Sequence, residues 1–255
     1  MSGERTLVLG DVHGAARALE QVLERAAFEP SGDRLIVLGD ICDGWPEVDQ
    51  VMDVLLGLDR IDLVLGNHDA WTLSWMQTGR PPRGWPSQGG WGTMRSYARR
   101  AGHDEALDAD AMTAVARAVP VEHRRLLEEA VPYLMETRPD GRRVLFTHAG
   151  WRPGVPPEEQ DEYDLRWGRD LWVEARFRRA RMGGRGEASR LTEFDEVYLG
   201  HTPTEWIEPR PVLELWNLDQ GAGWDGVLTA MEVDSHEWWQ SDPVPGLYPG
   251  EQGRG

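Results

Sequence analysis

Side chains that can bind metals follow five short apolar runs of the sequence. The runs at residues 6–11 (TLVLGD), 35–40 (LIVLGD) and 62–67 (DLVLGN) share one pattern, and those at 143–148 (RVLFTH) and 196–201 (EVYLGH) end in histidine. The candidate donors at or just past these ends are Asp11, His13, Asp40, Asp43, Asn67, His68, His148 and His201. Aspartate, histidine and asparagine without a thiolate suit a mixed oxygen and nitrogen site for manganese, iron, zinc or a similar metal.

These donors are too numerous for one tetrahedral ion, and two ions that share a carboxylate fit their number better. Such a pair lowers the pKa of a bound water to about 7 and holds an anionic substrate oxygen. The remaining histidines, His103, His123 and His236, lie in polar stretches and are expected to be solvated. The pattern therefore predicts a two-metal hydrolytic site.

The elements that must position these side chains alternate along the front half of the chain. Helix-like stretches at 15–28 and 47–58 separate the first three apolar runs, which predicts a parallel α/β unit. Side chains just past the carboxyl ends of such strands converge on one crevice. Further strands are predicted at 211–219 and 227–234, and the strand-rich back half is expected to close the fold as a second sheet layer.

Two other segments complete the predicted organisation. The stretch 104–130 is rich in alanine, glutamate and arginine, and it predicts helices in a cap insertion around 92–130. We expect one domain over 1–240 and a disordered tail over 241–255, since that tail is rich in glycine, proline and polar residues.

The charge of the chain excludes several classes of partner. The 255 residues carry a formal net charge of -17, which would repel a nucleic-acid polymer and anionic membranes. The single cysteine, Cys42, cannot form an internal disulfide, and we expect it to be a small buried side chain. With no signal peptide and no apolar run of membrane length, a cytoplasmic location is expected.

Five motifs carry a resemblance to a known family. They are GDVHG at 10–14, GDICDG at 39–44, GNHD at 66–69, THAG at 147–150 and GHTP at 200–203. In this order they resemble the metallophosphoesterases, specifically the phosphoprotein phosphatase branch with its bacterial members and the symmetrical diadenosine tetraphosphate hydrolases. The resemblance extends over residues 7–233, and it implies the calcineurin-like fold, an α/β two-layer β-sandwich flanked by helices.

The resemblance also implies roles for the strand-end residues. The first metal would be held by Asp11, His13 and Asp40, with Asp40 bridging to the second. The second site would be completed by Asn67, His148 and His201. The implied cofactors are two divalent transition-metal ions, manganese first, with iron, zinc, nickel or cobalt as alternatives.

The implied mechanism is direct hydrolysis. A hydroxide that bridges the metals would attack phosphorus in line, without a phospho-enzyme intermediate. His68 would be the general acid that protonates the leaving oxygen, and Asp43 would orient its imidazole.

The sequence departs from the family pattern at Gly44. Related enzymes usually carry an arginine there, and its guanidinium fork binds the substrate phosphate in a way that glycine cannot replace. Arg169 lies where related enzymes supply another phosphate-binding arginine and is the leading candidate, with Arg95 as a weaker one.

Three other features remain open to two interpretations. Trp71, Trp75, Trp85 and Trp91 are expected in the core, although one of them could stack on an adenine or another aromatic group. The arginines between 176 and 185 form either a solvated face or a rim that recruits a polyanionic substrate. The glycines of 221–226 (GAGWDG) are expected to form a turn close to the site.

Three functions compete at this point. The first is a phosphoprotein Ser/Thr phosphatase with broad phosphomonoesterase activity, acting on a phosphorylated protein or a small phosphate ester. The second is a dinucleoside polyphosphate hydrolase, which the same metal site permits. The third is a non-catalytic metal-binding module for phosphorylated partners, which the presence of both Asp43 and His68 disfavours.

Overall fold

A computed structural model of the chain describes residues 4–103, 108–181 and 189–254. The strands within these residues are β1 (Thr6–Leu9), β2 (Arg34–Val37), β3 (Ile61–Leu63), β4 (Tyr133–Thr137), β5 (Arg143–Thr147), β6 (Glu196–Leu199), β7 (Leu215–Asn217), β8 (Thr229–Glu232) and β9 (Trp238–Gln240). The α-helices are α1 (Ala16–Arg25), α2 (Val48–Leu56), α3 (Asn67–Thr78), α4 (Gly90–Arg100), α5 (Ala109–Ala118), α6 (Val121–Glu128), α7 (Glu162–Trp167), α8 (Asp170–Arg181) and α9 (Val244–Leu247).

The strands form two sheets. The first has the order β3-β2-β1-β8-β9, in which β1, β2 and β3 are parallel and β8 and β9 are antiparallel. The second has the order β4-β5-β6-β7, in which only β4 is antiparallel to its neighbour. Within each sheet, the parallel strands therefore have their carboxyl ends at the same edge. The loops that carry the candidate donors follow these ends.

Alternating side chains place each sheet between two apolar layers. On β1, Leu7 and Leu9 pack into a core shared with the helices of the front half, whereas Val8 packs against Phe146 and Tyr198 of the second sheet. A strand buried on both faces reads as a continuous apolar run, and the runs in this sequence have that character because both faces are covered. The strand tips are consequently held by a core on either side.

The helices of the predicted cap are present at 90–100, 109–118 and 121–128, although residues 104–107 of that segment lie outside the described chain. They pack on α2 and α3, along the outer face of the first helical layer. The strands β4 and β9 were not predicted; β4 is only partly buried, so the apolar periodicity of a core strand is missing there.

Two expectations about the rest of the chain were wrong. Residues 241–254, expected to be disordered, pack against the domain: Val244 and Tyr248 are buried, and the Tyr248 ring stacks on Trp45 at 5.2 Å. His123, expected to be solvated, is buried on α6, where its Nε2 lies 2.9 Å from Asp53. In both cases an apolar or aromatic contact distant in sequence decides the burial.

The other histidines differ from one another. His103 is exposed, as predicted, whereas His236 is half-buried, stacks on Trp216 and lies 2.9 Å from Glu196.

No helix in the described chain is long and apolar enough to cross a membrane.

Candidate metal centre and active site

The strand ends bring the predicted donors together. Asp11 and His13 follow β1, Asp40 follows β2, and Asn67 and His68 begin α3. His148 and His201 follow β5 and β6 of the second sheet. All of these side chains are buried. The site therefore lies where the carboxyl ends of parallel strands from both sheets meet.

The backbone at the site has an unusual conformation. His13, Asp40, Asp43 and His201 have positive φ angles of 50°, 49°, 71° and 66°. The left-handed region costs a residue other than glycine about 1–3 kcal/mol, and it persists only where surrounding contacts impose it. Here the backbone N–H of His13 donates to the Asp40 carbonyl at 2.8 Å. Contacts around the loops thus stabilise these left-handed conformations, which turn the side chains toward one another.

Two groups of donors share one carboxylate. The side chains of Asp11, His13 and Asp40 form one group, and those of Asp40, His148 and His201 form the other, with ligand atoms within 4.8 Å of each other in each group. Asp40 Oδ2 lies 3.7 Å from His13 Nε2 and 3.5 Å from His148 Nε2. Two ligand atoms that each bind one metal ion at about 2.0–2.2 Å are separated from each other by distances similar to these 3.5 and 3.7 Å.

Unused polar atoms at the centre of these groups fit bound metals. Among the described residues, Asp40 Oδ2 and His201 Nε2 are buried without a hydrogen-bond partner. Two ligand histidines are oriented by their other nitrogen: His13 Nδ1 lies 3.1 Å from the Cys42 carbonyl and His148 Nδ1 lies 2.8 Å from the Leu38 carbonyl. Carbonyl oxygens only accept, so each Nδ1 carries the proton and each Nε2 is left for a metal.

Asn67 belongs to the second group. Its Oδ1 lies 3.0 Å from His148 Nε2, at the first residue of α3. The side chain of Asn67 is buried and presents an oxygen to the same space as the two histidines. The six predicted metal ligands thus lie close together at the strand ends, and their roles as ligands stay a prediction.

Burial and neighbouring charges shift the pKa values of several side chains in the cluster. Burial, together with the Asp219 carboxylate, raises the pKa of Asp11 well above its usual range. Burial and the charge of His148 lower the pKa of His201 to about 3. Burial also opposes the charged form of His148, but the Asp40 carboxylate outweighs it and raises that pKa to about 10. Cations that bind between these groups would be stabilised by the carboxylates.

His68 and Asp43 form a separate pair beside the cluster. His68 Nδ1 lies 2.6 Å from Asp43 Oδ2, and the His68 ring meets the His13 ring edge to face at 5.1 Å. Asp43 also accepts hydrogen bonds from Trp85 Nε1 and Thr93 Oγ1, both at 2.6 Å. Within the described chain, His68 Nε2 is buried and has no partner. The pair is therefore held in place by the hydrogen bonds to Asp43, whereas Nε2 is left without a hydrogen bond in the described chain.

Several supporting residues were missed by the sequence interpretation. Trp85 and Thr93 hold Asp43 from the segment before α4 and from α4 itself. Asp69 accepts the backbone N–H groups of Cys42 and Gly66, so it ties two of the motif loops together. Burial and the Asp40 charge raise the pKa of Asp69 to about 6. Asp69 lies inside the GNHD motif, whereas the contacts of Trp85 and Thr93 with Asp43 were not predicted.

The candidate arginines lie at different distances from the cluster. Arg169 is exposed between α7 and α8, and its charge contributes, after burial and other charges, to the lowered pKa of His201. Arg95 lies over the Trp91 ring at 5.9 Å. An unpredicted arginine, Arg254, places Nη1 3.2 Å from His13 Nε2.

The structure also shows where the candidate tryptophans, Cys42, the 221–226 turn and the arginines between 176 and 185 lie. Trp75 and Trp85 are buried, Trp91 is exposed, and the half-buried Trp71 meets His68 at 5.2 Å. Cys42 is buried, and burial raises its pKa well above its usual range. The 221–226 turn packs against the site, since Gly223 contacts the His13 ring. In the basic cluster, Arg176 pairs with Glu205 and Arg178 with Glu174, and Arg185 lies outside the described residues.

The comparison with protein families agrees with the resemblance that the sequence motifs carry. Residues 4–246 match the family described as Calcineurin-like phosphoesterase. The chain belongs to this family, so the predicted resemblance and fold class are confirmed.

Individual relatives are more distant. The chain is 26% identical over 212 residues to a symmetrical bis(5'-nucleosyl)-tetraphosphatase of Paracidovorax citrulli (strain AAC00-1), covering 82% of this chain and 61% of that relative. A crystal structure of a protein provisionally called a diadenosine tetraphosphatase superposes with a TM-score of 0.64 at 19% identity, covering 95% of this chain and 94% of that one.

A second solved structure with the same fold is that of a protein phosphatase. A protein serine/threonine phosphatase from Saccharomyces cerevisiae with similarity to human phosphatase PP5 superposes with a TM-score of 0.54 at 12% identity. This match covers 98% of this chain and 82% of that one. At these identities the solved structures support the fold alone.

Proposed function

We propose that the chain hydrolyses phosphate esters with two divalent transition-metal ions, of which manganese is the first candidate. The proposed ligands are Asp11, His13, Asp40, Asn67, His148 and His201. The observation that carries the proposal is the pair of buried donor groups that share Asp40. When bound, two such ions activate water as a nucleophile and neutralise charge on the phosphoryl oxygens.

His68 is the proposed general acid. Asp43 accepts the Nδ1 proton, so in the charged imidazole the second proton lies on Nε2, the nitrogen without a partner in the described chain. As the bond between phosphorus and the leaving oxygen breaks, Nε2 gives that proton to the leaving oxygen while a water oxygen adds to phosphorus. One water is consumed, and an alcohol and phosphate are released.

Hydrogen bonds donated to Asp43 fix the position of this carboxylate beside His68. Two hydrogen bonds of 2.6 Å and a longer one of 3.3 Å from Thr72 fix both carboxylate oxygens. Hydrogen bonds to a charged acceptor are stronger than those between neutral groups. Asp43 therefore holds the imidazole in one orientation and one tautomer.

The first substrate class that we propose is a phosphomonoester on serine or threonine of a protein, with activity on small aryl phosphates. Arg169, which is exposed and whose charge contributes to the lowered pKa of His201, is the proposed binding group for the phosphate on this side. An acidic chain needs such local cations in order to hold an anionic substrate.

A second substrate class, dinucleoside polyphosphates, has an observation of its own. The half-buried indoles of Trp71 and Trp167 contact each other at 4.9 Å, and they meet the rings of His68 and His201 at 5.2 and 5.9 Å. An indole beside the metal ligands can stack on a base whose phosphates lie at the cluster. The names of two relatives also favour this class.

A hydrolysis panel tests the proposal. Manganese-loaded protein is assayed with an aryl phosphate, a phosphoserine peptide and diadenosine tetraphosphate, and His68→Asn is the matched control. We expect hydrolysis of at least one substrate, lost in the control. Absence of hydrolysis with metal bound would contradict the proposal, and the preferred substrate decides between the two classes.

A further inference from the structure

We propose that Arg254 binds the substrate phosphate at the edge of the metal cluster, and so supplies the cation that Gly44 does not. This inference rests on the proposed phosphoester hydrolysis and names a binding residue for it. Arg254 lies 241 positions from His13 in sequence, yet Nη1 reaches to 3.2 Å from His13 Nε2.

Three glycines make room for the arginine side chain. A Cβ atom added at Gly44 or at Gly89 would lie 3.1 Å from Arg254 Cγ, and one added at Gly223 would lie 3.1 Å from Arg254 Cδ. The three backbone segments therefore form a groove for the aliphatic stem. Gly44 and Gly89 also have positive φ angles of 86° and 103° and are joined by a backbone hydrogen bond of 2.9 Å.

The segment that carries Arg254 is fixed at several points. The Arg254 backbone N–H donates to the Gly223 carbonyl at 2.8 Å, and the guanidinium carbon lies 5.2 Å from the centre of the Trp224 ring. Gly253 lies directly on the Trp45 ring, whose Nε1 donates to the Ala222 carbonyl at 2.7 Å. These contacts hold the guanidinium at the cluster before any ligand binds.

The guanidinium has unused hydrogen-bonding capacity. In the described parts of the chain no carboxylate lies within 4.0 Å of it, and its Nε is buried without a hydrogen-bond partner. Asp219 is close enough for the Arg254 charge to oppose the raised pKa of that carboxyl, although the two groups do not pair. A buried or half-buried arginine without a carboxylate is costly unless an anion joins it.

The contact with His13 indicates which anion fits. His13 Nε2 is the nitrogen proposed to hold a metal, so it would not accept a hydrogen bond from Arg254 in the loaded site. The guanidinium donors would then be free for an oxygen atom that lies next to the metal cluster. A phosphate has several such oxygens and matches the planar fork of arginine. Arg254 and Arg169 would therefore hold the phosphate from the His13 side and the His201 side.

The test measures binding of inorganic phosphate to the manganese-loaded full chain by isothermal titration calorimetry, without turnover. Arg254→Gln is expected to weaken binding roughly 10- to 100-fold, the loss typical of a charged hydrogen bond. Arg254→Lys should recover only part of it, because an ammonium group lacks the fork. The matched control is Arg125→Gln, which removes the same charge from an exposed arginine of α6 that pairs with Glu129.

Aryl phosphate kinetics give a second readout. Arg254→Gln should raise KM by a similar factor with a smaller change in kcat, while metal content stays at the wild-type value. Unchanged or tighter phosphate binding would overturn the inference, and so would an equal loss in Arg125→Gln or a loss of metal in Arg254→Gln. If wild-type protein binds neither metal nor phosphate, the proposed function itself fails, which distinguishes the two failures.

Discussion

The metal side and the phosphate side of the site are built in different ways. The proposed metal ligands follow strand tips inside two packed sheets, and several occupy a strained backbone conformation that the core imposes. The arginines proposed to bind the substrate phosphate come from loops: Arg169 lies between α7 and α8, and Arg254 follows α9. Loops on a rigid scaffold can change substrate binding while the metal chemistry stays the same.

Breaking the metal side should have the largest effect. Asp40→Asn keeps the size of the side chain but removes the charge of the carboxylate shared by both donor groups. We expect metal content, measured by atomic emission on purified protein, to fall from about two ions per chain towards zero, and hydrolysis to fall to background. Retention of either property would contradict the bridging role of Asp40.

The proton donor should separate chemistry from metal binding. His68→Asn is expected to lower kcat by about 10²–10⁴-fold, which is the typical contribution of general acid catalysis. Metal content should stay at the wild-type value, because His68 belongs to neither donor group. A 4-nitrophenyl phosphate assay with metal analysis on the same sample measures both, and normal turnover would remove His68 as the acid.

The support of Asp43 offers a smaller test with a matched control. Trp85→Phe loses the indole N–H that donates to Asp43, whereas Trp75→Phe changes a buried indole whose Nε1 has no partner among the described residues. We expect kcat to fall about 10-fold in Trp85→Phe only. Its free energy of unfolding, from urea denaturation, should fall about 1.5–3 kcal/mol further than that of the control. Equal effects in the two variants would contradict the assigned hydrogen bond.

The metal ligands could be predicted from the sequence more easily than Arg254. The metal ligands could be predicted because each follows an apolar run, and parallel strands in a twisted sheet bring their carboxyl ends together. Arg254 could not, since a contact across 241 positions depends on how residues 241–254 fold back. Their polar, glycine-rich composition suggested disorder, but Tyr248 and Val244 bury enough apolar surface to order them.

His123 shows a similar failure on a helix. Its neighbours in sequence are charged, but on α6 it lies one turn before Leu127, and both residues face the core. A helical reading of that spacing would have placed it inside. The contacts of Trp85 and Thr93 with Asp43 were not predicted, because they depend on how α4 packs beside Asp43.

The smallest effect that we expect concerns this histidine, away from the site. Burial lowers the pKa of His123, despite the Asp53 carboxylate at 2.9 Å and with a further contribution from Arg100. Below about pH 6.5 the unfolded chain binds a proton that the folded chain resists, so stability contributed by neutral His123 is lost as pH falls. His123→Gln should flatten the fall in unfolding free energy between pH 7 and 5.5, whereas exposed His103→Gln should not. An unchanged slope in His123→Gln would contradict this assignment.

The central claim is that two metal ions share Asp40 at the meeting point of the two sheets. The most direct measurement is an anomalous difference map from crystals of the full chain loaded with manganese. We expect two peaks, one contacted by Asp11 and His13 and the other by His148 and His201, with Asp40 between them. A single peak, or two peaks without Asp40 between them, would contradict it.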